Sequence, residues 1–328
     1  MRVLISGASG LVGSALAERL SETGVQPRRA ADGSEPGRVA PDGLLSGPHQ
    51  VVRLVRSEPK SDTSEISRES EIFWDPSAGQ LSPRALEGFD AVVHLAGENI
   101  AQGRWTAEKK ARIRDSRVQG TRLLCGALAE TARRPKVLVS ASAVGYYGDR
   151  GDEELHETSP PGSGFLAEVC RAWEAATEPS AAAGIRVVCV RLGVVVARHG
   201  GALARMLPLF RFGLGGRLGS GRQYMSWIAL ADAVEAICHA IATETLSGPV
   251  NLVAPNPVTN RQFTKALGRA LHRPTLFPAP AFMLRLALGE MADALLLSSA
   301  RVLPRRLLAT GFRFHAAHLE NALTARRH

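Results

Sequence analysis

The chain has 328 residues, of which 45% are hydrophobic, and a formal net charge of +9. This length fits one large α/β domain with a smaller lobe, and no apolar run approaches the roughly 20 residues of a membrane span. The four cysteines (Cys125, Cys170, Cys189 and Cys238) are too far apart for a metal site or a disulfide framework. We expect buried thiols and a cytoplasmic protein, since Met1 runs straight into an apolar strand and leaves no room for a targeting peptide.

The positive charge does not by itself indicate a macromolecular partner. Nucleic-acid binding would require a basic stripe with interleaved aromatic residues or a known reader motif, and we recognise neither. An anionic cofactor and a solvated surface explain most of the charge. The expected partner is therefore a small-molecule substrate, with no nucleic acid, no membrane and no metal. A homodimer is also considered.

The first twenty residues predict a strand, a glycine turn and a helix. An apolar strand at Arg2–Ser6 is followed by Gly7, Gly10 and Gly13, and apolar residues then recur at helical spacing. Glycines in this context allow a tight turn, a close approach of the backbone to a pyrophosphate and close packing of helix on strand. The order predicts a dinucleotide site, with the helix N-terminus facing the phosphates.

The end of the second strand bears on which dinucleotide is bound. Residues 24–47 lack periodicity and predict a flexible insert, about 25–47, after which a strand resumes at Val51–Val55. An acidic residue at the end of this strand would favour NAD, whereas the chain has Arg56 followed by Ser57. An arginine accommodates a 2′-phosphate, so we expect NADP. The alternative is that Arg56 is an ordinary surface residue.

Strands and helices alternate along the rest of the first two thirds of the chain. This alternation predicts an α/β fold, a Rossmann-type doubly wound parallel sheet, with a smaller C-terminal α+β substrate lobe. His94, inside a buried strand, is expected to be a core residue with satisfied hydrogen bonds. The predicted elements are strands at 72–74, 90–97, 136–140 and 185–196, and helices at 106–130 and 165–176.

Several stretches together resemble the short-chain dehydrogenase/reductase superfamily, and more narrowly its atypical, extended-type epimerase family. They are GASGLVGSAL, HLAGENIA, RIRDSRVQGT, SASAVGYYGD, FLAEVCRAWEAA, RLGVVV and GSGRQYMSWI. A late stretch beginning PAPAFMLRLAL resembles that family's C-terminal domain of unknown function, about residues 275–322. The resemblance implies an NADP-binding Rossmann domain over residues 1–218 and a substrate lobe over residues 219–328.

The resemblance also implies which residues contact the cofactor. The glycine turn would hold the pyrophosphate, Arg56 and Ser57 the 2′-phosphate, and the turn after the fourth strand the adenosine side. The implied set is Gly7, Ser9, Gly10, Leu11, Val12, Gly13, Arg56, Ser57, Leu95, Ala96, Gly97, Glu98, Arg117 and Val195.

The catalytic centre is where the sequence departs from the superfamily. Its usual Tyr-x-x-x-Lys pair is replaced by Phe165 and Val169, which can neither shuttle a proton nor lower a pKa. Ser142 matches the superfamily serine, and Tyr147 (or Tyr146) is the phenol near it in sequence. Without a paired lysine, the pKa of this tyrosine is expected near ~10, which suits donation of a proton. The alternative is that both tyrosines only pack beside the cofactor.

Two functions remain open at this stage. One is an NADP-dependent oxidoreductase or epimerase-like enzyme acting on an unidentified small substrate. The other is an NADP-binding sensor or scaffold that has lost its chemistry. Residues 278–314 are expected to form helices over the nicotinamide end, with Phe282, Leu286 and Met291 lining an apolar pocket.

Overall fold

The structure is a computed structural model that describes residues 1–21, 49–56 and 70–324. The predicted insert at 25–47 and Ser57 lie outside the described residues. The strands are β1 (Arg2–Ser6), β2 (Gln50–Val55), β3 (Glu71–Phe73), β4 (Ala91–His94), β5 (Val137–Ala143), β6 (Glu154–Leu155), β7 (Arg186–Leu192), β8 (Val194–Val196), β9 (Tyr224–Met225), β10 (Trp227–Ala229), β11 (Gly248–Leu252), β12 (Val258–Thr259) and β13 (Arg301–Val302).

The helices carry the chain back across the sheet between these strands. They are α1 (Leu11–Ser21), α2 (Ala107–Ala129), α3 (Phe165–Ala175), α4 (Glu178–Ala182), α5 (Gly201–Arg211), α6 (Leu230–Ala242), α7 (Asn260–Leu271), α8 (Ala281–Leu288), α9 (Glu290–Ala292), α10 (Arg305–Ala309) and α11 (Leu319–Thr324). α2 begins where the sequence predicts, because the Thr106 side chain accepts a hydrogen bond from the Lys109 backbone N–H.

Seven parallel strands form the central sheet in the order β11-β7-β5-β4-β1-β2-β3. β1 shows why such a sheet needs a nearly continuous apolar sequence. Val3 and Ile5 join the core on one face, with α1 and α6, whereas Leu4 joins the core on the other face, with α2. Both faces are covered, as is typical of parallel sheets. The predicted Rossmann-type fold is confirmed.

The predicted strand at 185–196 is two strands. Gly193 separates β7 from β8, and the Val194 backbone N–H donates to the Ser226 carbonyl at 2.8 Å. A Cβ atom on Gly193 would lie 2.6 Å from that carbonyl oxygen, so the close approach requires glycine. β8 therefore leaves the sheet and pairs with β10.

The C-terminal third of the chain contributes to the small sheets outside the central sheet and also to the large domain. β9 with β12 and β6 with β13 form two small sheets, and a π-helical turn at Asp293–Leu297 follows α9. α6 packs on α1, however, and β11 is an edge strand of the central sheet. Residues 230–252 thus return to the large domain, and the division after residue 218 remains a prediction.

Candidate functional site

The glycine turn between β1 and α1 is closed too tightly for side chains at two positions. Gly7 has a φ of 71°, and a Cβ there would lie 2.8 Å from the Ala96 backbone nitrogen. A Cβ on Gly13 would lie 2.2 Å from the Gly7 carbonyl oxygen. Ser9 and Gly10 are exposed at the tip of the turn. Since the first turn of a helix has backbone N–H groups without partners, the turn forms a cradle suited to a phosphate.

A second wall of this cradle follows β4, the neighbour of β1. The Leu95 backbone N–H donates to the Ser6 carbonyl at 3.1 Å, and that of Ala96 donates to Ser6 Oγ at 3.4 Å. Leu95 and Ala96 therefore lie against the start of the glycine turn.

His94 is hydrogen-bonded to Ser6, the residue that Ala96 of this wall contacts. The Trp173 indole N–H donates to Thr121 Oγ1 at 2.9 Å, and Thr121 Oγ1 lies 2.9 Å from His94 Nε2. The other ring nitrogen, Nδ1, is hydrogen-bonded to Ser6 Oγ at 2.6 Å. Burial lowers the pKa of His94 to about 4, so the ring is neutral. The expected core histidine with satisfied hydrogen bonds is confirmed.

Basic side chains surround the turn at Glu98. Lys109 Nζ lies 2.5 Å from Glu98 Oε1, and the hydrogen bond lowers the pKa of that carboxyl, with a smaller contribution from the charge of Arg56. Arg117 donates to the Glu98 carbonyl at 3.1 Å and packs beside Gly97. Arg56 itself is exposed at the end of β2. The positively charged edge runs from Arg56 past the turn after β4 to Arg117, where the sequence places the adenosine half of a cofactor.

Val195 reaches the same region through the start of α5. A Cβ on Gly201 would lie 3.0 Å from Leu11 Cδ2 and 3.5 Å from the Val195 carbonyl oxygen. Leu11, at the head of α1, and Val195, on β8, are therefore neighbours across Gly201. Among the predicted cofactor residues that the structure describes, those in turns follow β1, β2 and β4, whereas Arg117 lies on α2 and Val195 on β8.

Ser142 lies at the end of β5 but its hydroxyl turns inward. It donates to Glu174 Oε1 at 2.6 Å, and Arg191 donates to the two oxygens of the same carboxylate from Nε at 2.7 Å and Nη2 at 2.8 Å. Ser142 is buried. In this arrangement its hydroxyl proton is directed to Glu174, and only the lone pairs of the oxygen are open to another partner.

Tyr147 lies deeper than the sequence analysis expects. Its side chain is 0% exposed, and its hydroxyl donates to Asn251 Oδ1 at 2.7 Å while accepting from Arg191 Nη1 at 3.0 Å. Burial raises the pKa of Tyr147 to about 12, above the value of ~10 expected from sequence. A phenol enclosed in this way is poorly placed to meet a substrate.

Tyr146 is the better-placed neighbour. It is partly exposed, and the Arg191 guanidinium carbon lies 3.4 Å from its ring centroid, which holds the ring by a cation–π contact. Sequence reasoning missed Arg191 and Glu174 altogether. One sequence signal could have indicated them: Arg191 interrupts the apolar run of β7, and a buried charge in a strand needs a partner of opposite charge.

Phe165 occupies the helix position at which the superfamily usually has its tyrosine, and it packs against residues of other elements. The Phe165 ring packs edge-on against Trp105, with centroids 5.2 Å apart, and Lys110 Nζ lies 5.0 Å from the Phe165 centroid. Lys110 also pairs with Glu290 of α9 at 2.8 Å. Residues from α2, α3 and the C-terminal region therefore meet here. Met291 is buried, whereas Phe282 and Leu286 are exposed and do not line an enclosed pocket.

This fold and glycine cradle define a Rossmann-type dinucleotide-binding protein. Residues 3–252 match the family described as the NAD dependent epimerase/dehydratase family, and residues 279–325 match a domain of unknown function, DUF1731. The chain belongs to the NAD-dependent epimerase/dehydratase family.

Three relatives illustrate the similarity. An epimerase family protein of Mycobacterium bovis is 46% identical over 321 residues, covering 98% of this chain and 96% of that protein. The crystal structure of human epimerase family protein SDR39U1 (isoform 2) with NADPH aligns with a TM-score of 0.81 at 33% identity, covering 99% of this chain and 98% of that one. The crystal structure of a nucleoside-diphosphate sugar epimerase from Corynebacterium glutamicum aligns with a TM-score of 0.72 at 36% identity, covering 98% of this chain and 57% of that one.

Two absences hold within the described part of the chain. No three His, Cys, Asp or Glu side chains in it come together as metal ligands. None of its helices is both long and apolar enough to cross a membrane.

Proposed function

We propose that the protein is an NADP(H)-dependent oxidoreductase or epimerase-like enzyme acting on a small carbonyl or alcohol substrate. The observation that carries this proposal is the cradle formed by Gly7 and Gly13, where a Cβ would collide with the backbone, beside the exposed Arg56 at the end of β2. The NADPH in the SDR39U1 crystal structure, which covers 99% of this chain, supports the choice of cofactor.

The residues implied by the sequence would hold the cofactor as follows. The backbone of Ser9 to Gly13 binds the pyrophosphate, and Arg56, with Ser57, binds the 2′-phosphate by charge-assisted hydrogen bonds. Arg117 adds positive charge beside the turn after β4. Leu11 and Val195 provide an apolar surface toward the nicotinamide end.

When bound, NADPH supplies a hydride to a substrate carbonyl, or NADP accepts one from an alcohol. Reduction also requires a proton at the substrate oxygen. We assign the proton donor to Tyr146 in place of Tyr147, because Tyr146 is partly exposed at the end of β5 whereas Tyr147 is enclosed. Ser142, whose own proton is directed to Glu174, is assigned to accept a hydrogen bond from a substrate hydroxyl, and Glu174 and Arg191 hold Ser142 and the Tyr146 ring in place.

A second candidate function rests on Phe165 and Val169. Because these residues occupy the helix positions of the superfamily's proton-transfer pair, the protein could bind NADP(H) as a sensor or scaffold without turnover. The enclosed hydroxyl of Tyr147 is consistent with this alternative.

One experiment separates the two functions. Purified protein is incubated with NADPH and a panel of aldehydes, ketones and nucleotide-linked keto sugars, while NADPH oxidation is followed by its absorbance. An enzyme oxidises NADPH with at least one carbonyl compound, and Tyr146→Phe lowers that rate. Tight NADPH binding without oxidation across the panel would favour the sensor.

A further inference from the structure

Two long stretches of the chain contain basic residues and no acidic ones. Residues 197–231 include five arginines, and residues 245–289 include four arginines and one lysine, yet neither stretch contains Asp or Glu. The whole chain has 31 acidic residues among 328, so stretches of 35 and 45 residues without one are a marked departure. They concentrate positive charge in one part of the fold.

The structure brings the two stretches together. Arg273 Nε donates to the Arg211 carbonyl at 2.9 Å. Further along, the Ala279 backbone N–H donates to the Arg217 carbonyl at 2.9 Å, and that of Gly219 donates to the Ala279 carbonyl at 2.8 Å. The end of α5, the loop after it and the segment between α7 and α8 thus form one continuous surface.

This surface also carries most of the exposed apolar side chains. Nine large hydrophobic residues are exposed in the described part of the chain, and eight of them lie in these two stretches. Phe212 is 81% exposed and Leu286 is 79% exposed. We call the surface the basic apolar face; its apolar members are Leu209, Phe212, Leu214, Leu276, Phe277, Phe282, Met283 and Leu286, and its basic members include Arg211, Arg217, Lys265, Arg269, Arg273 and Arg285.

The helix α8 is the most unusual part of this face. Its sequence, AFMLRLAL, is apolar except for Arg285, and none of its eight residues is buried. A helix of this composition in a globular protein ordinarily packs into a core. Contiguous exposed apolar surface rimmed by basic residues is instead typical of a segment that lies in a membrane interface.

We propose that the basic apolar face docks the protein onto an anionic lipid bilayer. The apolar side chains enter the boundary between headgroups and acyl chains, while Lys265 and the arginines other than Arg285, which pairs with Asp293, contact lipid phosphates. The protein would lie on the membrane without crossing it, in agreement with the lack of a spanning helix among the described residues. This proposal departs from the expectation of no membrane partner drawn from sequence.

The chemistry of the face disfavours two other occupants. A two-fold contact with a second copy would place the same patch against itself, and its basic side chains, of which Arg285 is paired with Asp293 at 2.8 Å, would then oppose like charges. Single-stranded nucleic acid is held by aromatic stacking, whereas five of the eight exposed apolar residues are Leu or Met and have no π face. An anionic bilayer satisfies both the charge and the aliphatic surface.

Vesicle sedimentation of the full chain tests the proposal. We expect the protein to sediment with phosphatidylcholine vesicles that contain about one third phosphatidylserine, and not with phosphatidylcholine alone, and to be released by salt. Phe212→Ser/Leu286→Ser and Lys265→Glu/Arg269→Glu should each weaken the partition coefficient at least about tenfold. NADPH binding by each variant verifies that it folds.

Matched controls lie outside the face. Leu308→Ser replaces an exposed apolar residue on α10, and Arg122→Glu/Arg171→Glu reverses two exposed charges on α2 and α3. Both should bind anionic vesicles as the wild type does. The proposal is overturned if the wild type does not sediment with anionic vesicles, or if the controls weaken sedimentation as much as the face variants. It is also overturned if the face variants keep their lipid binding and lose self-association or oligonucleotide binding instead.

Discussion

Arg191 on β7 donates hydrogen bonds to both carboxylate oxygens of Glu174 on α3, at 2.7 and 2.8 Å. This buried ion pair contacts Ser142 and Tyr146, the candidate catalytic residues. Burial, the largest single cause, would lower the pKa of Arg191, but the hydrogen bonds and charge of Glu174 together with the contact to Tyr147 outweigh it and leave that pKa raised. The same guanidinium contacts the Tyr146 ring and the Tyr147 hydroxyl, and the same carboxylate accepts from Ser142. One ion pair therefore fixes every side chain considered for proton transfer or substrate positioning.

Breaking this pair should destabilise the protein strongly. Glu174→Gln leaves a buried guanidinium without its counter-charge, so we expect a loss of about 3 kcal/mol in the free energy of unfolding, measured by urea titration. Glu168→Gln, at an exposed position on the same helix, is the control and should change the free energy by less than about 0.5 kcal/mol. Equal stabilities of the two variants would contradict the importance of the pair.

The two neighbouring tyrosines should respond differently to removal of the hydroxyl. Tyr147→Phe leaves Asn251 and Arg191 short of a buried partner, so it should cost about 1–3 kcal/mol of unfolding free energy. Tyr146→Phe should preserve stability and lower NADPH-dependent reduction ~10²–10⁴-fold, the usual range for loss of a general acid. Both quantities are measured on both variants. A large rate loss in Tyr147→Phe at unchanged stability would return the acid role to Tyr147.

Glycine-to-alanine changes should separate the cradle from an ordinary helix position. A Cβ on Gly13 meets the Gly7 carbonyl oxygen at 2.2 Å, so Gly13→Ala should open the turn and abolish NADPH binding at concentrations that saturate the wild type. A Cβ on Gly126, in α2, meets no atom within 4 Å, so Gly126→Ala should stabilise the helix by about 0.5–1 kcal/mol and keep binding unchanged. Fluorescence titration with NADPH checks both. Binding by Gly13→Ala equal to that of the wild type would contradict the cradle.

His315 should make the thermal stability of the protein depend on pH. Its Nδ1 lies 3.0 Å from Oδ1 of the buried Asp232, and this hydrogen bond raises the pKa of His315. A raised pKa in the folded state means that the stabilisation is full below the unfolded pKa of about 6.5 and is lost as the pH rises through the folded value. His315→Gln should therefore lower Tm more at about pH 5.5 than at about pH 8.5, by a modest amount because the imidazole is largely exposed. A difference in Tm that is constant with pH would contradict this.

Local patterns in the sequence account for the elements and much of the cradle. The strand, glycine turn and helix at the start of the chain, and the helix that begins at Ala107, follow from periodicity and glycine spacing. The separation of β7 from β8 at Gly193 could not be predicted from local patterns, because it depends on the Ser226 carbonyl, which is distant in the chain.

The interior of the candidate site was equally hidden from sequence. Whether Tyr146 or Tyr147 faces inward depends on the turn at Val144–Tyr147 and on Asn251, which lies on another strand. Glu174 and Arg191 are on different elements and meet only after α3 docks beside β7. Contacts between distant segments leave no local periodicity, so sequence indicates the residue types but not their pairing.

The most direct test of the account is cofactor choice at Arg56. Wild type and Arg56→Ala are titrated with NADPH and NADH at one ionic strength, and Arg53→Ala, an exposed arginine of the same strand, serves as the matched control. Loss of a charge-assisted contact to the 2′-phosphate is worth about 1.5–3 kcal/mol. We therefore predict that the wild type and Arg53→Ala prefer NADPH by roughly 10- to 150-fold, and that Arg56→Ala loses this preference while its affinity for NADH is unchanged. Equal affinity of the wild type for the two cofactors, or an unchanged preference in Arg56→Ala, would contradict it.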